Sequence, residues 1–187
     1  CGVARVGQGM ITRGLAPWAA GATIGVAAGV SRLLKLTIEQ TVMAISIATS
    51  HAGGLYKQVG SGAHLYESGL ACRNGIAAAK LAQCGLTGQP DCLEAPFGYL
   101  DAVAGVTPTS IELGKPFRVL GIEIKKYPCC MSQMHPIDAC VRLIVENDIQ
   151  AGDIEQVTVE GPVSFRRAAA AYQHPQTEDQ AKFSLAH

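Results

Sequence analysis

The sequence predicts a mainly α chain with a smaller α+β part at its end. Three observations carry that reading. Apolar residues recur at helical spacing through long stretches before residue 85. After residue 118 the period shortens to two, returns to a helix and shortens again, which is the order strand, helix, strand. The composition is 48% hydrophobic but only 5% aromatic, so the core must be built from Ala, Gly, Leu, Ile and Val, with helices in close approach.

Taken in order, residues 1–13 read as the tail of a helix, and Pro17 with Gly21 as a turn. Residues 22–36 are apolar nearly all round up to Ser31, which predicts a helix buried on most faces. Thr37 and Gln40 have the form of a capping box for the next helix, with Val42, Ile45 and Ala48 on one face. Gly53-Gly54 is expected to end it. A glycine-punctuated connection follows, carrying His51, Lys57, His64, Tyr66 and Glu67. A third long helix is expected from Tyr66 or Ser68 to Cys84, with Gly85 past its end.

Residues 85–114 read as irregular, with a short helix near Gly98 to Ala104, and mark the domain boundary. The division drawn is 1–110 and 111–187. In the second part, Leu120, Ile122 and Ile124 alternate with Gly121, Glu123 and Lys125 in a strand over 119–125. The helix after Pro128 has Ser132 as its expected cap and Ile137, Cys140, Val141, Ile144 and Val145 on one face. A second strand is expected at 156–160, an Ala-rich turn at 167–172, and a helix from Thr177.

Charge narrows the partners. Fifteen basic and fifteen acidic residues cancel, and no basic run exceeds the pair Arg166-Arg167, which reads as solvated. Nucleic acid and anionic membrane are therefore excluded, while a small anion needs only a few local cations. The uncharged stretch between Arg13 and Arg32 contains Pro17 and several glycines and is short for a membrane span, so it is read as a core helix. Seven cysteines, an odd number without Cys-x-x-Cys, predict reduced and mostly buried thiols in a cytosol-like compartment, with no metal site. Cys1 at the start and AKFSLAH at the end read as cut points in a longer polypeptide.

Two clusters hold the chemistry. His64 with Glu67, and His51 upstream, can act as acid and base, because imidazole titrates near neutral pH. The bland alternative makes His51 a satisfied buried or helix-end histidine and His64 a structural one. Gly60-Ser61-Gly62 follows a helix rather than a strand and lacks Gly-Lys-Ser/Thr, so it is not read as a nucleotide loop. The second cluster is Lys125-Lys126-Tyr127-Pro128-Cys129-Cys130, with His135 just inside the next helix. Lys125 and the helix start can hold a carboxylate, and a helix N-terminus lowers the pKa of a thiol. The alternative is a solvated strand end with cysteines filling space.

Several stretches resemble the MmgE/PrpD family of 2-methylcitrate dehydratases and cis-aconitate decarboxylases. They are Gly21–Gly25, Ser50–Gly54, Cys84–Gly88, Leu93-Glu94 before Phe97-Gly98, Lys126–Cys130, Ile137–Ala139 and Ala181–Leu185, in order over nearly the whole chain. The resemblance implies an all-helical domain followed by part of an α/β lid domain, within a longer chain. It implies chemistry without cofactor or metal on a small di- or tricarboxylate: dehydration, decarboxylation or epimerisation, in a cleft between the two domains. A cytoplasmic homodimer is the expected assembly, with a mitochondrial location open for a eukaryotic source.

Carried over position by position, His64 stands near a family lysine, Glu67 at a family histidine, and Lys125 at a lysine of the lid motif. Cys130 falls where decarboxylases carry histidine, and a lid-helix histidine aligns one residue before His135. Ala16 replaces the histidine of the family's Gly-Phe/Trp-His-Pro. The expected set is thus His64, Glu67 and Lys125 for catalysis, with Lys126, Cys130 and His135 binding substrate. A lyase is the reading; an epimerase or an inactive relative is the alternative.

Overall fold

The computed structural model describes residues 7–106, 114, 117–161 and 172–186. The chain divides into two compact units, Cys1–Gly121 and Ile122–His187. The division drawn at 110/111, Cys1 and Arg166-Arg167 lie outside the described residues.

The described residues of the first unit are mainly helical: α1 (Gly7–Thr12), α2 (Pro17–Leu33), α3 (Ile38–Thr49), α4 (Gly62–Gln83) and α5 (Tyr99–Ala104). Pro17 and Gly21 do not form the expected turn. Proline is favoured at the first helical position, where its missing N–H would have had no partner, and Pro17 opens α2 there. Gly21 lies buried inside that helix, where packing outweighs its poor propensity. The expected capping box is present: Gln40 N–H donates to Thr37 Oγ1 at 3.2 Å and Thr37 N–H to Gln40 Oε1 at 3.1 Å.

Helices α2, α3 and α4 pack on one another around Ile24, Ala27, Ala44, Ile47, Ala48, Ala78, Ala79, Ala82 and Leu100. Small side chains set the spacing. A Cβ at Gly75 of α4 would lie 2.6 Å from the Thr23 carbonyl and 2.7 Å from Val26 Cβ of α2, so only glycine lets these two backbones come so close. Buried hydroxyls in α2 are satisfied locally, with Thr23 Oγ1 donating to the Ala19 carbonyl (3.0 Å) and Ser31 Oγ to that of Ala27 (2.8 Å). α5 closes over this core, and the Tyr99 hydroxyl donates to the Ala52 carbonyl at 2.8 Å. No described helix is long and apolar enough to cross a membrane.

The second unit holds α6 (Met131–Asn147) and the single turn α7 (Glu178–Ala181), shorter than the helix expected from Thr177. Thr177 does cap that turn, accepting from Gln180 N–H. α6 begins after Cys130, which makes no side-chain cap bond, so Ser132 lies within the helix and is not its cap. Asp148 in the left-handed region (φ +50°) ends it.

The two expected strands are not formed. Residues Arg118–Gly121 make a turn of 3-10 helix, and 122–125 and 156–160 are irregular. Alternation supplies only a preference for extended backbone. A strand is held by its neighbour's hydrogen bonds, and among the described residues the one bridge is Leu15 with Leu55. Ile124 is 92% exposed, so the apolar side of that alternation faces no sheet core.

Candidate active site

His64 and Glu67 do not sit on the connecting loop. α4 starts at Gly62, a turn earlier than expected, and carries both in its first two turns. The positive φ of Gly60 (+84°) absorbs the change of direction just before it. Ser61 takes the N-cap position, yet its hydroxyl turns back to the Gln58 carbonyl at 2.7 Å.

The loop ahead of α4 is clamped against the start of α2. Ala16 N–H donates to the Gly54 carbonyl at 3.0 Å and Tyr56 N–H to the Gly14 carbonyl at 2.9 Å, around the Leu15–Leu55 bridge. Gly54 adopts φ +132°, and a Cβ there would lie 2.9 Å from Ala19 Cβ, 3.2 Å from Ala16 Cβ and 3.4 Å from the Glu67 carboxyl carbon. This close fit is the structural content of the Ser50–Gly54 stretch.

Glu67 completes the clamp. One carboxylate oxygen accepts Leu55 N–H at 2.8 Å, and the other lies 3.9 Å from Nδ1 of His64. The His64 and Glu67 side chains are only 17% and 11% exposed. The Trp18 ring meets the His64 ring edge-on, centroids 5.3 Å apart, and the Tyr56 ring at 5.6 Å. Trp18 and Tyr56 escaped the sequence reading. The one available signal was a lone tryptophan directly after a helix-opening proline. His51 is exposed just past the end of α3, in keeping with the helix-end alternative, and its carbonyl accepts from Asn74 Nδ2 at 3.3 Å.

The second cluster lies in the other unit. Lys125 Nζ donates to the Cys129 carbonyl at 2.8 Å, closing the turn on itself. Lys126 pairs with Asp138 of α6, and the Tyr127 hydroxyl donates to the same carboxylate oxygen at 2.9 Å. These two hydrogen bonds hold the Asp138 carboxyl below the usual carboxylate range, and the bond to Asp138 raises the Lys126 ammonium. Asp138 is thus the anchor of the turn, and the sequence reading missed it because twelve residues and a reversal of direction separate it from Lys126.

Cys130 N–H donates to the Lys182 carbonyl at 3.0 Å, which brings the Lys126–Cys130 and Ala181–Leu185 stretches together. Ser132 Oγ donates to Cys130 Sγ at 3.3 Å. His135 is exposed and lines, with Lys126, Tyr127, Met131, Met134 and Asp138, an open cleft of about 230 Å³.

The thiols correct one expectation, that most of them are buried. None of the described cysteines is buried: Cys72 and Cys84 are exposed, and Cys92, Cys129, Cys130 and Cys140 are partly so. A core of alanines leaves these larger side chains at its margins. Cys129 lies one residue before Cys130, the N-cap of α6. Burial pushes its thiol up, outweighing the opposing pull of Lys125, and its Sγ rests 3.8 Å from the sulfur of Met134.

An alanine-cored helical domain with a histidine–carboxylate pair in the first turns of its longest described helix is the scaffold these observations define. Residues 6–112 match the MmgE/PrpD N-terminal domain, and the chain belongs to the MmgE/PrpD family. That family is generally enzymatic and includes dehydratases. No curated protein matches the chain.

Proposed function

We propose that the chain is part of a lyase, a dehydratase or decarboxylase, acting on a small di- or tricarboxylate by general acid–base proton transfer. The observation that supports this most is the His64–Glu67 pair, largely shielded from water in the family-matched unit. In this reading His64 removes or returns the proton next to a substrate carboxylate. Glu67 stands 3.9 Å from Nδ1 of that imidazole and places a carboxylate beside the ring that transfers the proton. In dehydration the C–H proton is taken by the imidazole and the hydroxide on the neighbouring carbon leaves as water; in decarboxylation the C–C bond breaks to release CO₂ and the protonated imidazole delivers its proton to the carbanion left behind.

Within the second unit, Lys125 is assigned to carboxylate recognition. An ammonium has three protons, and the Cys129 carbonyl takes one of them. Lys126, Cys130 and His135 are assigned to substrate contact. The same reading takes the protein to be a cytoplasmic homodimer; free cysteines at six described positions support a reducing compartment.

In the full-length protein His64→Ala is expected to cut turnover by about 10²–10⁴-fold. Undiminished turnover on the true substrate removes His64 from the mechanism. Proton NMR in D₂O separates an epimerase from a lyase, since epimerisation incorporates deuterium without losing water or CO₂.

One observation favours a second reading, an inactive relative. Ala16, which stands where the family resemblance calls for histidine, is fully buried against Gly54. In that reading no carboxylate stabilises the full-length protein in a thermal-shift panel, whereas a ligand at 100 times its Kd adds about 2.7 kcal/mol.

A further inference from the structure

We infer that Lys126 and Tyr127 form a carboxylate subsite that Asp138 occupies, and that a substrate carboxylate enters by displacing Asp138; the inference rests on the assignment of Lys126 to substrate contact. The subsite is recognisable because it already holds a carboxylate. The Lys126 ammonium and the Tyr127 hydroxyl, from consecutive residues, both donate to Oδ1 of Asp138, the hydroxyl at 2.9 Å. The ammonium also lies 5.3 Å from the centre of the Tyr127 ring, so cation–π attraction keeps the two donors together when the acceptor changes. Arg142, one turn further along α6, adds positive charge near the same carboxyl group.

Asp138 is a replaceable occupant. Its side chain is 45% exposed and that of Lys126 is 63% exposed, and an ion pair so open to water is weak. The turn keeps two other bonds when the pair opens, from Lys125 Nζ to the Cys129 carbonyl and from Cys130 N–H to the Lys182 carbonyl. The pair also borders the open cleft, where Ile124, Met131 and Met134 lie on the same lining. That lining suits a carboxylate carried on a short aliphatic body. The bond to Asp138 has to break before Lys126 can serve a ligand. Asp138 therefore sets the affinity of the subsite by competition, without touching the substrate.

Succinate titrated calorimetrically into the full-length protein tests this. Asp138→Asn should bind it about twofold to fivefold more tightly than the parent, the scale of an exposed ion pair. Asp138→Ser should show the same gain, which guards against an effect of one substitution on folding. The gain should vanish in a Lys126→Met background, because no ammonium is then left to release. A gain that persists in that background comes from charge repulsion at a distance and overturns the displacement. Unchanged or weaker binding in both Asp138 variants also overturns it and leaves Asp138 as an anchor of the turn alone. If Lys126→Met binds succinate as tightly as the parent, or if neither binds it, the assignment of Lys126 to substrate contact fails and the displacement with it. A fully active His64→Ala protein removes the acid–base reading, while the competition at Lys126 is still decided by these titrations.

Discussion

Glu67 accepts the backbone N–H of Leu55 at 2.8 Å across twelve residues of chain, while its second oxygen faces His64. One carboxylate therefore ties the Gly54–Tyr56 loop to α4 and also supports the imidazole. Glu67→Ala removes both functions. It leaves Leu55 N–H without its partner, which is expected to cost about 1–3 kcal/mol. Glu67→Gln keeps an acceptor for that N–H and removes the charge. Chemical denaturation should rank the variants Ala below Gln below the parent, and equal midpoints for all three would show that the clamp contributes nothing to stability.

Two glycines of α4 should respond in opposite directions. Gly69 has open space where a Cβ would be, so Gly69→Ala is expected to stabilise by about 0.5–1 kcal/mol through helix propensity. Gly75 lies against the Thr23 carbonyl and Val26, and overpacking costs about 1–3 kcal/mol against a propensity gain of about 1 kcal/mol. Gly75→Ala should therefore be neutral to destabilising, and Gly75→Val clearly destabilising. Thermal melts of the three variants test this, and a Gly75→Val protein as stable as the parent rules out the close α2–α4 approach.

Tyr99 should give the fold an alkaline limit. Burial raises its pKa from the ordinary value of 10 to about 12. The neutral phenol is the form that packs and donates to the Ala52 carbonyl. Its contribution is fully present below pH 10 and is lost as the pH climbs from 10 through 12, because the unfolded chain ionises first. Tyr99→Phe should lower stability at neutral pH and flatten its fall above pH 10. Parallel stability curves for parent and variant across that window would contradict this.

Asp138 should govern the turn at 125–130 from the acid side. Hydrogen bonds from Lys126 and Tyr127 lower its pKa below the ordinary 3.8. Its contribution is present above pH 3.8 and is lost as the pH falls through the lower value of the folded state. Asp138→Ala should raise hydrogen exchange in the Lys125–Cys130 turn at neutral pH and abolish its acid dependence. The interaction is exposed, so screening by salt should weaken it.

The Thr37 capping box, the short helix at residues 99–104, the alanine core and the helix after Pro128 were all legible from residue types at fixed spacings. Each is a local property: a side chain meets its own helix three or four residues away. Also legible were His64 and Glu67 as acid and base groups close in sequence, while their place on one helix, three residues apart and so on one face, was decided by the structure. Their assignment to a loop failed because glycine propensity is a weak signal, and the Gly60 turn lets α4 begin at Gly62. The two strands failed for a related reason, since alternation cannot supply the partner that a ladder requires.

From the sequence alone came the helical class, the order of the main helices and the family resemblance, since these depend on short-range periodicity and ordered motifs. Tertiary structure alone decided that Glu67 holds Leu55, that Trp18 stands against His64, that Asp138 anchors Lys126 and that Cys130 meets Lys182. Each of these joins different elements of the chain. Such contacts depend on where a loop reverses direction and how closely two backbones approach, and no local spacing in the sequence records either.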